Sequence, residues 1–412
     1  MSATPATSPH HAAEAVTRRL QILQICPTMY EAGTWFRCFY LARGLARRGH
    51  DVTLLKVSPD SRFSFEESSR DGVRIVETPR FWGSSVSHHN TRIPSDVLAR
   101  IQFILRQRFD VLHTYSHHVN AMLPGLLGRL LHPDTALVVD WDDLWTEGGL
   151  YDLNPHSTLL QRISYQIDRL SERHLKRLGD AVTVVSRDLA NRCLDHGVPP
   201  ERIHTLPNGA PADTIFPADM ATARARLGFP AAGQIALFVG YGQYDLDMVF
   251  GAARLLQAEG LRFLLAICGP HGDKVQEMAE HAGLGGMTRV VGLIPPSAVP
   301  EYLHAADVGL LPFADKPINR ARWPIKLGDY LAAGLPIVTC AVGEMGPFVE
   351  RWRAGVSTPP TVEGFAAGMR QLLTDPAPGE VRARARHAAE KTSWDEVAVQ
   401  AEGIYLRAVA RS

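Results

Sequence analysis

The segment with the most residues suited to chemistry is 320–338, which reads RARWPIKLGDYLAAGLPIV. Its proline suits the first turn of a helix, so Lys326 falls near the positive end of the helix dipole, where a cation is unfavourable without an anion opposite it. Arg320 and Arg322 add positive charge suited to phosphate. Asp329 lies on the same helix face and could accept hydrogen bonds from two sugar hydroxyls. The segment predicts a site for a phosphorylated, hydroxylated ligand; the alternative is an exposed Lys–Asp pair.

A second candidate for binding phosphate follows the first predicted strand, where a loop reaches Gly33 and a helix is expected over about residues 34–48. Amide groups and the positive dipole end of a helix N-terminus favour an anion. The loop contains neither G-x-G-x-x-G nor G-x-x-x-x-G-K-S/T, which excludes the dinucleotide and P-loop motifs. The alternative is a tight turn that needs one glycine.

Two further groups of polar residues end predicted strands. His117 and His118 follow the strand in DVLHTYS, and a histidine there could hydrogen-bond a leaving phosphate or an acceptor hydroxyl, or be structural. The run DWDDLW places carboxylates at 140, 142 and 143, an arrangement that is costly unless a cation or hydroxyl lies opposite. Asp140 and Asp142 form a D-x-D pair, but two carboxylates alone do not define a metal site, and we predict none.

Basic and apolar residues form separate faces of a predicted helix between residues 161 and 178. The basic residues are Arg162, Arg169, Arg173, Lys176 and Arg177. Such a helix could dock on an anionic bilayer and bring the protein to a lipid-linked partner. A solvated helix face is the alternative, because Asp168 and Glu172 dilute the charge.

Composition narrows the classes of protein. The 43 Lys and Arg residues balance 43 Asp and Glu residues, so no overall positive field favours nucleic acid. The five cysteines lack zinc-site spacing and fit a reducing cytoplasm. Residues 1–17 read as a disordered tail without the pattern of a secretory signal, and no apolar run approaches a membrane span. We expect a cytoplasmic protein, with contact at the inner membrane surface through the basic helix as an option.

The elements that must position these residues alternate between strands and helices. Seven short aliphatic runs between residues 20 and 209 are followed by a turn-forming segment, PNGAPADTIFPAD, and five more runs between residues 235 and 341. This rhythm predicts two doubly wound α/β domains, 18–212 and 213–390, with a ligand cleft at the carboxyl ends of their strands. A last amphipathic helix, with Ser393 as its N-cap, occupies 391–412.

The run KLGDYLAAGLPIV resembles the K-L-F-E-Y-x-A-A-G-x-P-V-V signature of family 4 glycosyltransferases, and the likeness covers nearly the whole chain. The resemblance implies the GT-B architecture: two Rossmann-like domains facing across a cleft, and a C-terminal helix that crosses back to the first domain. It also implies retaining transfer of a hexose-type sugar from a nucleoside diphosphate sugar to a hydroxyl of a saccharide, glycolipid or small-molecule acceptor, without metal or other cofactor.

Carried over by position, the resemblance puts Asp329 where the second glutamate of the family's E-x7-E motif binds ribose; Ala321 stands in the place of the first. The Arg and Lys that larger subfamilies carry after FVG are absent, so Lys326 with Arg320 or Arg322 would meet the diphosphate. Gly240 and Gly242 would let the backbone approach the donor. Glu344 lies in a segment that resembles the loop closing on it.

In the first domain, Tyr115 takes the place of the second His of the family's H-x-H motif, near the sugar. We therefore assign the candidate roles as follows: catalytic, Lys326, His117, Tyr115 and Asp142; donor-binding, Gly33, Gly240, Gly242, Arg320, Arg322, Lys326, Asp329 and Glu344; acceptor-side, His113, His118 and Asp143.

Three alternatives remain at this stage. The same scaffold could carry a nucleotide-sugar epimerase or a phosphorylase, because fold alone does not determine chemistry. A phosphorylase would require a pyridoxal-linked lysine. The missing first glutamate and the missing Arg–Lys pair are also compatible with a non-catalytic nucleotide-sugar-binding protein.

Overall fold

A computed structural model describes residues 18–29, 31, 33–60, 62–81, 93–153, 158–240 and 245–412. The expected tail 1–17 and Gly242 lie outside the described residues. Two α/β domains follow one another along the chain, each built on one sheet. No helix within the described ranges combines the length and hydrophobicity that crossing a bilayer requires.

The first domain contains eight described strands in one sheet. They are β1 (Gln21–Ile25), β2 (Asp51–Val57), β3 (Glu66–Arg70), β4 (Val73–Thr78), β5 (Val111–Tyr115), β6 (Ala136–Trp141), β7 (Ala181–Val184) and β8 (Ile203–Thr205). Its helices are α1 (Thr34–Arg47), α2 (Pro94–Leu105), α3 (Val119–Leu131), α4 (Leu159–His174) and α5 (Arg187–Asp195). The sheet order is β3-β4-β2-β1-β5-β6-β7-β8, and the strands are parallel except for β3, which runs antiparallel to β4.

The second domain contains six described strands, all parallel, in the order β11-β10-β9-β12-β13-β14. They are β9 (Gln234–Val239), β10 (Phe263–Cys268), β11 (Thr288–Gly292), β12 (Val308–Leu311), β13 (Ile337–Cys340) and β14 (Gly355–Thr358). The remaining helices are α6 (Met220–Leu227), α7 (Leu246–Ala258), α8 (Gly272–His281), α9 (Val299–Ala305), α10 (Pro317–Ala321), α11 (Ile325–Ala332), α12 (Met345–Trp352), α13 (Val362–Leu373), α14 (Pro378–Lys391) and α15 (Trp394–Val409).

Two strands escaped the sequence analysis, and both lack the aliphatic runs on which it relied. Strand β3 reads EESSR and is exposed throughout; it exists because Asp71 and Gly72 both take positive φ and close a hairpin with β4. Strand β14 reads GVST, is half-buried, and pairs only with β13 at the sheet edge.

The strand order fixes where a ligand can bind. In the first sheet the chain leaves β1 towards β2 and leaves the neighbouring β5 in the opposite direction, towards β6. In the second sheet it leaves β9 towards β10 and the neighbouring β12 in the opposite direction, towards β13. A crevice opens at the carboxyl ends of parallel strands at such a switch point. Gly33 follows β1 and Gly240 follows β9, so both glycines lie at these crevices.

Helix α15 returns to the first domain, as expected for its predicted crossover. Its N-cap is Ser393, whose hydroxyl accepts a hydrogen bond from the Glu396 amide at 3.4 Å. Trp394, Ala401 and Tyr405 of α15 are buried in the same apolar cluster as residues of α1 and β1. This burial ties the end of the chain to the first domain after the second sheet is complete.

Candidate active site

A cleft of about 350 Å³ lies between the two domains, at the carboxyl ends of their strands. The first domain contributes Gly33, Asp142 and Asp143 to its wall. The second domain contributes Gly240, Arg322, Lys326 and Asp329. The cleft thus collects the residues that the sequence analysis selected most strongly.

Lys326 lies in the first turn of α11, which begins after Pro324. Its Nζ atom is 4.3 Å from the centroid of the Phe238 ring, and within the described ranges it has no ion pair. Burial and the nearby positive charge of Arg322 lower the pKa of Lys326 to about 7, although Asp245 opposes the shift. An anion in the cleft would restore the charged form of this amine.

The absence of a side chain at Gly240 leaves space for the Lys326 amine. A Cβ atom at position 240 would lie 3.1 Å from Lys326 Nζ and equally close to the Phe238 ring. Any larger side chain would therefore displace the amine or fill the space beside it. This backbone is open to a ligand on the cleft side.

Asp329 lines the cleft one helical turn beyond Lys326. Burial alone raises the pKa of this carboxyl to about 7. Within the described part of the chain its carboxylate accepts no hydrogen bond and forms no ion pair. A half-buried carboxyl in this state favours a ligand that supplies hydroxyl donors.

The structure distinguishes between Arg320 and Arg322, which the sequence analysis left as alternative contacts to the diphosphate. Arg322 lines the cleft, with its guanidinium carbon 4.4 Å from the centroid of the Phe313 ring. Arg320 is half-exposed and makes two hydrogen bonds to Asp315, at 2.6 and 2.8 Å, away from the cleft wall. The donor-binding assignment of Arg320 is corrected accordingly.

Two neighbouring carboxyls face the cleft from the first domain. Asp142 Oδ2 accepts a hydrogen bond from the Thr34 hydroxyl at 2.8 Å, next to Gly33. Burial and the charge of Asp140 raise the pKa of Asp142 to about 6. Burial and the charge of Asp142 raise the pKa of Asp143 to about 8, although Arg322 opposes this shift. Near neutral pH the pair holds a proton and can both donate to and accept from hydroxyl groups.

Arg37 is a cleft residue that the sequence analysis missed. Its Nε and Nη2 atoms donate to the two oxygens of Asp140 at 2.8 and 2.7 Å, and both side chains are buried. Its Nη1 atom donates to Asn208 Oδ1 at 2.9 Å, and Asn208 Nδ2 in turn donates to the Trp323 carbonyl of the second domain at 2.5 Å. The sequence feature that could have identified Arg37 is its position in the first turn of a helix that directly follows Gly33. Asp140 is consequently neutralised inside the first domain.

His113 and Tyr115 are core residues, which corrects their assignment to the site. Strand β5 is buried along its whole length, so its side chains pack inside the domain. His113 Nδ1 lies 2.6 Å from the Tyr405 hydroxyl of α15, and burial lowers the pKa of His113 to about 4. The Tyr115 hydroxyl donates to Gln24 Oε1 at 3.0 Å.

His117 and His118 lie just past β5 and are buried. Their ring centroids are 4.7 Å apart, and the His118 ring meets the edge of Trp145 at 4.6 Å. Together with Asp168 they place three ligand-type atoms within 4.8 Å of one another. Neither ring belongs to the described cleft wall, so the structure does not bring these histidines together with Lys326.

Glu344 also lies outside the described cleft wall. Its carboxylate accepts hydrogen bonds from the Arg187 side chain at 2.8 Å and from the Arg187 amide at 3.2 Å. Arg187 belongs to α5 of the first domain, so this ion pair joins the two domains. The residue therefore contacts the opposite domain where donor contact was expected.

Two family models match the chain. A "Glycosyl transferase 4-like domain" covers residues 32–209, and "Glycosyl transferases group 1" covers residues 219–392. The chain belongs to the family 4/group 1 glycosyltransferases. This membership confirms the resemblance inferred from the KLGDYLAAGLPIV run.

Two relatives place the chain within this glycosyltransferase family. It is 31% identical over 235 residues to D-inositol 3-phosphate glycosyltransferase 1 of Catenulispora acidiphila, a match that covers 52% of this chain and 54% of that enzyme. The chain therefore spans about half the length of that relative. It is 26% identical over 409 residues to glycogen synthase of Mycobacterium tuberculosis, covering 93% of this chain and 92% of the synthase.

Solved glycosyltransferase structures share the fold over nearly the whole chain. Sucrose-phosphate synthase from Thermosynechococcus elongatus superposes with a TM-score of 0.74 at 20% identity, over 96% of this chain and 100% of the synthase. Anabaena HepE in complex with UDP-glucose superposes with a TM-score of 0.69 at 14% identity, over 96% and 100% of the two chains. These likenesses confirm the predicted α/β fold of GT-B architecture.

Proposed function

We propose that this protein is a retaining glycosyltransferase that moves a hexose-type sugar from a nucleoside diphosphate sugar to a hydroxyl of a saccharide, glycolipid or small-molecule acceptor. The observation that carries the proposal is the pair of cleft residues on α11: Lys326, whose pKa is lowered by burial, and Asp329, whose pKa is raised by burial. In both residues, burial disfavours the charged form of the side chain. A ligand with an anion and adjacent hydroxyls would compensate both.

The donor would be held chiefly by the second domain. Lys326 and Arg322 would contact the diphosphate, and Asp329 would accept hydrogen bonds from the ribose hydroxyls. The N-terminus of α1 at Gly33, where φ is +54°, would present its amides to the phosphates from the opposite wall. HepE, which shares the fold, was solved with UDP-glucose, and this supports a nucleotide sugar as the donor.

Transfer would depend on positioning and on charge stabilisation. As the sugar–phosphate bond breaks, negative charge grows on the leaving diphosphate, and Lys326 would offset it. Asp142 and Asp143 would bind the acceptor hydroxyl, while the departing phosphate takes its proton. This scheme uses no covalent enzyme intermediate, no metal and no other cofactor.

A binding screen followed by a transfer assay tests the proposal. Melting temperatures would be measured with the sugar conjugates of UDP, GDP, ADP and TDP, because a ligand that binds only the folded state raises the melting temperature. We expect one base to give a clear shift that Lys326→Ala reduces and that Arg320→Ala, outside the cleft wall, preserves. Product formation from that donor over an acceptor panel then tests transfer; donor conversion without acceptor would indicate an epimerase instead.

One observation favours a second candidate, a non-catalytic nucleotide-sugar-binding protein. Ala321, at the place of the family's first glutamate, is fully buried, and its carbonyl accepts a hydrogen bond from Ser186 of the first domain at 2.5 Å. Ala321 packs in an apolar cluster with first-domain residues, so a glutamate there would bury its carboxylate among apolar side chains. Tight donor binding without transfer over the whole acceptor panel would support this candidate and contradict the enzyme.

A further inference from the structure

Helix α4 buries acidic side chains and exposes aliphatic ones, which is the reverse of an ordinary surface helix. The two acids on the helix, Asp168 and Glu172, are its buried residues. The Glu172 carboxylate accepts hydrogen bonds from Trp141 Nε1 at 2.9 Å, from the Trp145 amide at 2.9 Å and from the Thr146 hydroxyl at 2.6 Å. These contacts fix which side of the helix faces the protein.

The opposite side of α4 carries an exposed aliphatic stripe. We define the α4 stripe as Leu159, Leu160, Ile163, Ile167 and Leu170, which follow one another at helical spacing and are between 46% and 78% exposed. A helix of this length extends about 24 Å. Aliphatic side chains on a surface helix normally face the core, so a continuous exposed stripe indicates a binding surface.

Helix α4 is capped and anchored by residues outside the α4 stripe. Thr158 and Gln161 close a capping box at the first turn, with the Gln161 amide donating to the Thr158 hydroxyl at 3.2 Å and the Thr158 amide donating to the Gln161 side chain at 3.0 Å. Glu172 anchors the last turns. The exposed side chains therefore play no part in these anchoring contacts.

The charges beside the stripe are predominantly positive. Arg162, Arg169 and Arg173 recur along one flank of α4, and Arg177 follows it. Glu147 offsets part of this charge, since its carboxylate lies 2.7 Å from Arg169 and 4.0 Å from Arg173. The two acids of α4, Asp168 and Glu172, are buried on the inward side, so the outer side of the helix carries arginines and no acid of its own.

We propose that α4 lies flat on an anionic lipid bilayer, with the α4 stripe inserted among the acyl chains and the arginines at the headgroups. An aliphatic face beside a basic flank is the pattern of an interfacial helix. The stripe consists only of Leu and Ile, which suit acyl chains, and the arginine flank is complementary in charge to anionic headgroups. A bilayer therefore fits this surface better than a second copy of this chain, whose α4 would bring the same arginines against each other.

Docking through α4 would also place the cleft beside the membrane. Residues 147–150 connect the two sites, because Glu147 pairs with Arg169 of α4 and Leu150 lines the cleft. The cleft would then open next to a membrane-borne acceptor hydroxyl. This last step rests on the proposed function, whereas docking itself does not.

Vesicle binding tests the docking surface without any donor or acceptor. Sedimentation with vesicles of phosphatidylcholine alone would be compared with sedimentation in a mixture containing 30% phosphatidylglycerol (about the anionic share that gives a strong surface potential). We expect binding only to the anionic vesicles.

Leu160→Gln/Ile163→Gln/Ile167→Gln should weaken binding by about tenfold or more, because each substitution removes an aliphatic side chain that would insert into the bilayer. Arg162→Gln/Arg177→Gln should weaken it by about fivefold per arginine and reduce its salt sensitivity.

The matched control is Leu98→Gln/Leu130→Gln, which removes two equally exposed leucines from α2 and α3. This control should bind vesicles as the parent does. A parent protein that ignores anionic vesicles, or a stripe variant that binds them like the parent, would overturn the proposal. Concentration-dependent dimerisation in ultracentrifugation that disappears in the stripe variant would also overturn it, because the stripe would then be a self-association surface.

Two melting-temperature measurements complete the test. Unchanged melting temperatures would show that the variants remain folded. A donor-induced shift in the stripe variant would show that donor binding survives independently of membrane docking.

Discussion

The two walls of the cleft handle charge in opposite ways. In the first domain, Arg37 and Asp140 neutralise each other within the protein, and Asp142 is held by Thr34. In the second domain, Lys326 and Asp329 face the cleft without an ion pair inside the described ranges. The buried Arg37–Asp140 pair is thus a scaffold within the first wall, while the second wall leaves the charges of Lys326 and Asp329 for a ligand to satisfy. Changes to the Arg37–Asp140 pair should mainly affect stability, and changes to Lys326 or Asp329 should mainly affect binding and turnover.

The largest effect is expected from Arg37→Met. Removing one partner of a buried ion pair leaves the other charge uncompensated and costs roughly 3–5 kcal/mol of unfolding free energy. Chemical denaturation would measure this loss. Arg37→Met/Asp140→Leu should recover a substantial part of it, because no buried charge then remains. Wild-type stability in the single variant would show that the first wall is not the scaffold described here.

Lys326→Ala should lower turnover by about a hundredfold or more, as does the loss of a group that stabilises charge in a transition state. The unfolding free energy should change little, in contrast to the Arg37 variant. Steady-state kinetics with the preferred donor would measure the effect, and Arg320→Ala is the control because it lies outside the cleft wall. Near-normal turnover without Lys326 would remove this lysine from the chemistry.

Asp329→Ala should mainly weaken donor binding, by about tenfold, because hydrogen bonds to a charged carboxylate are lost. Titration calorimetry with the nucleoside diphosphate would detect the change, and Asp329→Asn should retain part of the affinity. An unchanged dissociation constant in the alanine variant would contradict the ribose assignment.

The pH dependence of donor affinity separates the two residues of α11. The pKa of Lys326 is lowered to about 7 in the free protein, and a bound diphosphate would raise it, so binding takes up a proton above pH 7. Affinity contributed by Lys326 should therefore be complete below pH 7 and decline as the pH rises towards the pKa of the bound form. Measuring this in Asp329→Asn removes the opposing titration of that carboxyl. Lys326→Arg in the same background should give a flat profile, and a matching decline there would assign the titration to another group.

Sequence patterns identified cleft residues correctly where a recognisable helix or strand pattern also fixes their position. The start of α11 is defined by a proline, and the placement of Lys326 and Asp329 on it follows from helical periodicity, so both were expected at a ligand. The parallel strands were visible as apolar runs because helices cover both faces of the sheets. Strands β3 and β14 were not, because one is exposed and the other is short and polar.

The remaining errors concern the direction of side chains, which residue types do not specify. Tyr115 and His113 belong to a strand that is buried on both faces, so only residues past its end could approach the cleft. Arg320 and Arg322 are two residues apart, but only Arg322 lines the cleft. Arg37 escaped notice because its partners, Asp140 and Asn208, are more than 100 residues away along the chain.

The roles of Lys326 and Asp329 in donor binding would be visible in a crystal structure with the preferred nucleoside diphosphate sugar. We expect Lys326 Nζ to leave the Phe238 ring and donate to a diphosphate oxygen, while Asp329 accepts from the ribose hydroxyls of the same ligand. A nucleotide bound elsewhere, or a Lys326 amine that stays on the Phe238 ring with donor present, would contradict this expectation.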